Sequence, residues 1–210
     1  MIRVLLADDH TLFRSGVRRV LHAEADLEVV GETGRGQEIL GLVKDSRPDV
    51  VLLDVSMPGR GGLETLEELK DRHGDVKVLM LTVHPENHFA IRCLKGGADG
   101  YMTKDAEPEE LVRAIRKVVG GHKYITPQLA EQLALTVGQS FQEAPHERLS
   151  DREFEVMRGI GSGRTVSEIA EDLHLSVKTI STYRTRIIEK MNLRNNFEIM
   201  EYAIREGLVE

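Results

Sequence analysis

The chain begins Met1-Ile2-Arg3-Val4-Leu5-Leu6-Ala7-Asp8-Asp9, a short apolar run closed by two carboxylates. Such a run has the length of a buried strand and is too short for the core of a signal peptide. Similar runs recur at Leu27–Glu32, Asp49–Leu53, Val76–Leu81 and Gly100–Met102. Between them, helical spacing places Leu12, Phe13, Val17, Val20 and Leu21 on one face. It does the same for Leu63, Leu66 and Leu69, more loosely for Phe89, Ile91 and Leu94, and for Leu111, Ile115, Val118 and Val119. Alternation of this kind predicts five βα units with right-handed crossovers, a doubly wound α/β domain over residues 1–121 that ends at Gly120-Gly121. A ligand site is then expected outside the carboxyl ends of the strands.

Those ends carry the chemistry. Asp8 and Asp9 close the first strand, Asp54 the third and Thr82 the fourth, and Lys104 follows the fifth. Clustered carboxylates repel one another unless a cation neutralises them, and an oxygen donor set with room for water and phosphate suits Mg²⁺. A carboxylate beside Mg²⁺ can attack a phosphoryl group while a lysine and a hydroxyl balance the charge on the phosphoryl oxygens. Asp54 is the expected nucleophile, with Lys104 and Thr82 as its partners. Taken singly, each residue reads better as a helix cap or a solvated side chain. Their joint placement on the strand ends argues for a site.

The second half of the chain is different. Thr126-Pro127 can start a helix running to about Thr136, and the stretch from Gly138 to Arg148 has no sustained apolar period and reads as a tether. Residues 122–145 are therefore expected to be a linker with a short helix, and 146–210 a small all-α domain. Ser150 and Glu153 form a capping-box pattern; Val166–Leu173, Val177–Met191 and Asn195–Glu206 follow as helices. Val166 to Met191 has the layout of a helix-turn-helix, with His174-Leu175-Ser176 as the turn. Val177, Ile180, Ile187, Ile188 and Met191 give the second helix an apolar stripe. Lys178, Ser181, Thr182 and Thr185 form a polar one, and Thr179, Arg184, Arg186 and Lys190 supply further contacts to a DNA duplex.

Composition narrows the field. The 210 residues are 40% hydrophobic but only 4% aromatic, with no Trp, which argues against sugar-binding sites and aromatic cages. The single cysteine, Cys93, excludes an internal disulfide framework and suits a reducing compartment, so the cytoplasm is expected. No apolar stretch approaches membrane-spanning length. Residues 1–147 hold 18 basic against 24 acidic side chains, and residues 148–210 hold 10 against 11. Within the second of these stretches the run from Ser176 to Arg194 is locally basic, with five cations against one acid, Glu189.

Asp8-Asp9, Leu52-Leu53-Asp54-Val55-Ser56-Met57-Pro58 with Gly62, Leu81-Thr82 and Gly100-Tyr101-Met102-Thr103-Lys104 together resemble the receiver domain of bacterial two-component response regulators. The resemblance implies a flavodoxin-like five-stranded parallel sheet and phosphorylation of Asp54 by a sensor histidine kinase. It implies Mg²⁺ held by Asp9, Asp54 and the main-chain carbonyl of Ser56, with Asp8 reached through water. Thr82 and Tyr101 would form the switch pair. Receivers often have proline after the lysine; here Asp105 stands there. Leu149-Ser150-Asp151-Arg152-Glu153, Ile169-Ala170, Leu175-Ser176, Lys178-Thr179-Ile180 and Lys190-Met191 resemble the LuxR/FixJ-type DNA-binding domain, so that the whole chain is similar to the LuxR/FixJ (NarL) subclass. That implies a homodimer, formed on phosphorylation, on a two-fold DNA site, with the last helix in the dimer contact.

Two other classes of protein fit the sequence less well. An aspartyl-phosphate phosphatase needs a second Asp two residues after the nucleophile, where this chain has Ser56. The receiver is therefore expected to catalyse only its own phosphoryl transfer and slow dephosphorylation, tuned by Ser56 and His84. A ligand-sensing regulator would need a large apolar pocket in the first half, where the sequence offers carboxylates.

Overall fold

Five strands, β1 (Ile2–Ala7), β2 (Leu27–Thr33), β3 (Val50–Asp54), β4 (Lys77–Thr82) and β5 (Gly100–Thr103), pair in parallel in the order β2-β1-β3-β4-β5. This computed structural model describes residues 1–57, 61–83, 88–126, 129–131, 144–173 and 175–209 and divides into two units, Met1–Gln139 and Ser140–Glu210. In the first unit, chain order reverses between β1 and β3, which opens a crevice at their carboxyl ends. β3 and β4 run one residue past their apolar runs, because Asp54 pairs with Leu81 and Thr82 with Thr103 in the ladder. The functional residues are thus held by the sheet itself.

Both faces of the sheet are covered, which is why the central strands are apolar over most of their length, while the edge strand β2 keeps Glu28 and Glu32. Val4, Leu6, Val50, Leu52, Leu79, Leu81 and Met102 pack with Val17 and Leu21 of α1 (Thr11–His22) and with Leu111, Val112 and Ile115 of α5 (Pro108–Val119). Period-two alternation sends Leu5, Val51, Leu53, Met80 and Tyr101 to the other face. There α2 (Ile39–Ser46), α3 (Gly62–Arg72) and α4 (His88–Lys95) lie against the sheet. α2 has no counterpart among the periodic stretches of the sequence: it buries only Ile39 and Val43, a single pair four residues apart.

Leu12 was expected on the buried face of α1 but is 88% exposed. It lies in the first turn, about 100° or more around the helix from Phe13, Val17 and Leu21, so the helix turns it away from the sheet. Phe89 has its side chain outside the described residues. So do Pro58, His84, His174 and most of the helix expected from Thr126 to Thr136.

The chain does not leave the first unit at Gly121. Tyr124 donates its amide to the Asp99 carbonyl at 2.9 Å and accepts from the Tyr101 amide at 3.0 Å, so this segment extends the β5 edge. In the second unit a 3-10 turn, Pro145–Arg148, precedes the helices α6 (Asp151–Gly161), α7 (Val166–Asp172), α8 (Val177–Met191) and α9 (Asn196–Arg205). The tether read as reaching Arg148 therefore ends earlier. His146 is buried, with Nδ1 2.8 Å from the Tyr202 hydroxyl of α9, a side-chain contact that leaves no periodic trace in sequence. Among the described residues, side-chain caps start these four α-helices: Ser150 and Thr165 in full capping boxes, Ser176 and Asn195 singly.

Asp99 ties α3, β4 and the start of β5 together. Its Oδ2 accepts from Lys70 Nζ at 2.5 Å and from the Val78 amide at 3.0 Å, and Lys123 Nζ lies 3.6 Å from Oδ1. Burial alone would raise the carboxyl pKa, but the Lys70 hydrogen bond, the Val78 amide and the charges of Lys70 and Lys123 hold it below the usual range. A depressed pKa contributes stability that is present above the unfolded value, about 3.9, and is lost as pH falls through the folded value. Asp99→Asn is expected to cost about 2 kcal/mol at neutral pH and to flatten the loss of stability below about pH 4. Urea unfolding followed by hydrogen exchange in β4 and β5 measures both.

Candidate functional site

The carboxyl ends of β1, β3 and β5 bring Asp8, Asp54 and Lys104 into contact. Lys104 Nζ lies 2.8 Å from Asp8 Oδ2 and 2.7 Å from Asp54 Oδ2, and both carboxylates are buried. Each is fixed by local backbone. The His10 amide donates to Asp8 Oδ1 at 2.8 Å, and the Ser56 amide to Asp54 Oδ1 at 3.1 Å. Burial, then the neighbouring Asp54 charge, raises the Asp8 pKa against the opposing pull of Lys104, so this anion is short of positive charge.

Asp9 is more exposed and pairs with His10, whose Nδ1 is 2.9 Å from Asp9 Oδ1, 3.4 Å from Asp8 Oδ1 and 3.7 Å from Asp54 Oδ2. Asp8, Asp9, His10 and Asp54 offer ligand atoms that all lie within 4.8 Å of one another. A donor set dominated by carboxylate oxygens fits a hard divalent ion such as Mg²⁺. His10 and Phe13 escaped the sequence reading. Lys104 Nζ sits 5.0 Å from the centroid of the Phe13 ring, in range of a cation–π contact, whereas the helical pattern marks Phe13 only as core.

The remaining expected residues surround this centre. Thr82 is fully buried at the end of β4, and its carbonyl accepts from the Lys104 amide at 2.7 Å, which binds the lysine loop to the sheet. The Lys104–Asp105 peptide is trans. Tyr101 is fully buried, so its ring already points inward in this state. Gly62 lies where the chain returns to Asp54: a Cβ there would meet the Asp54 carbonyl and come within 2.7 Å of Val55 Cα. Only glycine lets α3 start so close behind the acidic centre.

On the second unit, α8 shows two chemically distinct sides. Ile180, Ile187 and Met191 are buried, and Ile188 is half-buried. Val177 departs from the expected stripe: it is the first residue of the helix and is 50% exposed. Lys178, Ser181, Thr182, Thr185 and Arg186 are exposed. Thr179 belongs to the cap: its amide donates to Ser176 Oγ at 3.1 Å, and the two hydroxyls are 2.8 Å apart. Arg184 donates from Nε to Asn196 Oδ1. Lys190, expected on a cationic flank, instead reaches Glu153 Oε2 at 2.6 Å. That carboxylate is only 2% exposed, and it also closes the cap of α6 by accepting from the Ser150 amide at 2.7 Å.

Residues 4–116 match the family model of the response regulator receiver domain, and residues 147–203 that of the bacterial regulatory proteins of the luxR family. The chain belongs to the response regulators with a LuxR-type DNA-binding domain. It is 44% identical to response regulator UvrY of Escherichia coli (strain K12) over 209 residues, 99% of this chain and 96% of that protein. The structure of RcsB from Salmonella enterica serovar Typhimurium, bound to a promoter in the presence of the phosphomimetic BeF₃⁻, is similar with a TM-score of 0.58 and 25% identity, over 96% of this chain and 98% of that one. A structure of two RcsB dimers on two parallel DNAs gives a TM-score of 0.61 at 25% identity, over 96% and 97% of the two chains. This response regulator is a DNA-binding transcription regulator of a two-component system. No helix among its described residues is long and apolar enough to cross a membrane.

The pairings on α8 separate two kinds of cation. Lys190→Ala leaves the buried Glu153 carboxylate without its partner and is expected to destabilise the second unit by about 2 kcal/mol. Arg186→Ala should leave stability within about 0.5 kcal/mol and lower the salt slope of DNA binding by about one. Thermal unfolding and binding measured at several salt concentrations check the pair.

Proposed function

We propose that Asp54 is the phosphoacceptor of this response regulator, that a sensor histidine kinase is its donor, and that the phosphorylated chain dimerises on a two-fold DNA site. The observation that carries the reading is the convergence of Asp8, Asp54 and Lys104 within 2.8 Å at the strand ends. The Ser56 amide holds Asp54 Oδ1 and so orients the carboxylate toward the crevice. One carboxylate oxygen of Asp54 attacks the donor's phosphorus, the bond from phosphorus to the donor breaks, and the donor departs with its electron pair. Lys104, on a flexible stem, follows the negative charge from the carboxylates to a phosphoryl oxygen. The Thr82 hydroxyl donates to another, and the Tyr101 ring, already turned inward, holds the space behind it as the second half of the switch pair. Bound Mg²⁺, held by Asp9, Asp54 and the Ser56 main-chain carbonyl, with Asp8 through water, would neutralise charge on the carboxylates and the phosphoryl group.

The receiver catalyses only this transfer and the slow loss of the phosphate, and the chain works in the cytoplasm. Residues 1–121 form the receiver and 146–210 the DNA-binding domain, and the linker 122–145 begins with the Tyr124 segment laid along the β5 edge of the receiver. α8 enters the major groove, with Lys178, Ser181, Thr182 and Thr185 toward the bases and Arg186 along the flank, while Thr179, Arg184 and Lys190, expected there too, serve the fold through Ser176, Asn196 and Glu153. Dimerisation is supported by α9, where Phe197 and Ile204, 73% and 60% exposed, lie seven residues apart on one side of the helix. The RcsB structures, one described as bound to a promoter in the presence of a phosphomimetic and another as dimers bound to DNA, support a dimer on DNA.

Incubation with Mg²⁺ and a small phosphodonor should add one phosphoryl group, read by intact mass, and none to Asp54→Ala. Lys104→Ala should label about 100-fold more slowly. Labelling of Asp54→Ala at the normal rate would place the acceptor elsewhere. A Phe197→Asp, Ile204→Asp double variant should label normally yet sediment as a monomer and bind a two-fold site weakly.

A further inference from the structure

The hydroxyl protons on the exposed side of α8 are already committed. Ser181 Oγ donates to the Val177 carbonyl at 2.9 Å, Thr182 Oγ1 to the Lys178 carbonyl at 3.0 Å and Thr185 Oγ1 to the Ser181 carbonyl at 3.1 Å. A hydroxyl has one proton and two lone pairs, so each of these oxygens offers only acceptor capacity to the outside. All three side chains are exposed, and at helical spacing they share with Lys178 a stripe about 100° wide. To donate to a base, a hydroxyl would first have to give up its bond to the helix, a penalty of about fivefold in affinity; to accept, it gives up nothing. The two threonines add methyl groups on the same stripe.

We propose that this stripe reads DNA as a row of acceptors. It selects exocyclic amino groups in the major groove, N4 of cytosine and N6 of adenine, and packs its threonine methyls on the methyl groups of thymine. Lys178 is the stripe's donor and the reader of guanine O6 and N7. The inference rests on the placement of α8 in the major groove argued above and adds which base edges that helix selects. It also assigns different work to the two parts of each threonine: the oxygen chooses the amino group, the methyl chooses thymine.

The probe is the duplex selected from a randomised library by the phosphorylated full-length chain. Single bases in it are replaced by analogues lacking the exocyclic amino group, by uracil for thymine, or by 7-deazaguanine. Removing one contacted amino group should weaken wild-type binding about fivefold, and removing one contacted thymine methyl about fourfold. Thr182→Val keeps the shape and the methyl but loses the oxygen, so the amino-group effect at its base pair should vanish while the thymine effect persists. Thr182→Ser should show the reverse, and Ser181→Ala and Thr185→Val should each lose the amino-group effect at one further base pair. Thermal unfolding confirms that these surface variants fold. If instead the hydroxyl-deleting variants lose discrimination against 7-deazaguanine, the hydroxyls donate and the inference is overturned. If no major-groove change at any position alters binding to a sequence that is still selected, the placement of α8 itself fails.

Discussion

Two carboxylates buried at the ends of adjacent strands would not be tolerated without a positive charge between them, and Lys104 supplies it. Much of the first unit is arranged around that contact. The sheet order β2-β1-β3-β4-β5 sets Asp8 and Asp54 on neighbouring strands at the point where the winding reverses, and β5 delivers the lysine from two strands away. The Thr82 carbonyl holds the lysine loop, the Leu81 carbonyl accepts from the Val55 amide at 2.9 Å, and Gly62 lets α3 begin directly behind Asp54. On the proposed phosphorylation of Asp54, the added charge would change the attraction that Lys104 feels, and Thr82 and Tyr101 lie on β4 and β5 beside it. The proposed chemistry and its transmission would then share the same strand ends.

The second unit solves a parallel problem with one carboxylate. Glu153 caps α6 and, being buried, needs a cation, which α8 provides through Lys190. Burial works against the charged form, while the hydrogen bonds from Lys190 and Ser150 hold the Glu153 pKa below the usual range. The pair fixes the far end of α8 to the first helix of the unit. The exposed stripe of Ser181, Thr182 and Thr185 then has a rigid support, which a helix needs if side-chain positions are to be matched to base edges.

The apolar runs of the sequence were enough to place the five strands to within a residue, because strands buried on both faces have no polar alternation to confuse them. Asp8, Asp54, Thr82 and Lys104 were legible for the same reason: each follows a run that could be nothing but a strand. The cap residues Ser150 and Glu153, and the bounds of α8, were equally plain, since caps and helical periods are local signals. What escaped was non-local or short. α2 buries only a single pair of residues, Ile39 and Val43, and His146 is buried by a partner 56 residues away.

The sequence by itself determined the parallel order of elements, the set of carboxylates and the lysine, and the helix that carries the hydroxyl stripe, because period and residue type are properties of neighbours along the chain. Only the tertiary structure decided which of those charges are already paired. Lys190 and Arg186 look alike as letters in a basic run, yet one reaches a buried carboxylate on α6 and the other faces solvent. Leu12 and Phe13 are adjacent apolar residues, yet one is turned outward and the other lies under the Lys104 ammonium. Pairing and exposure depend on which element packs on which face, and that is fixed by contacts between residues far apart in sequence, whose geometry no local pattern contains.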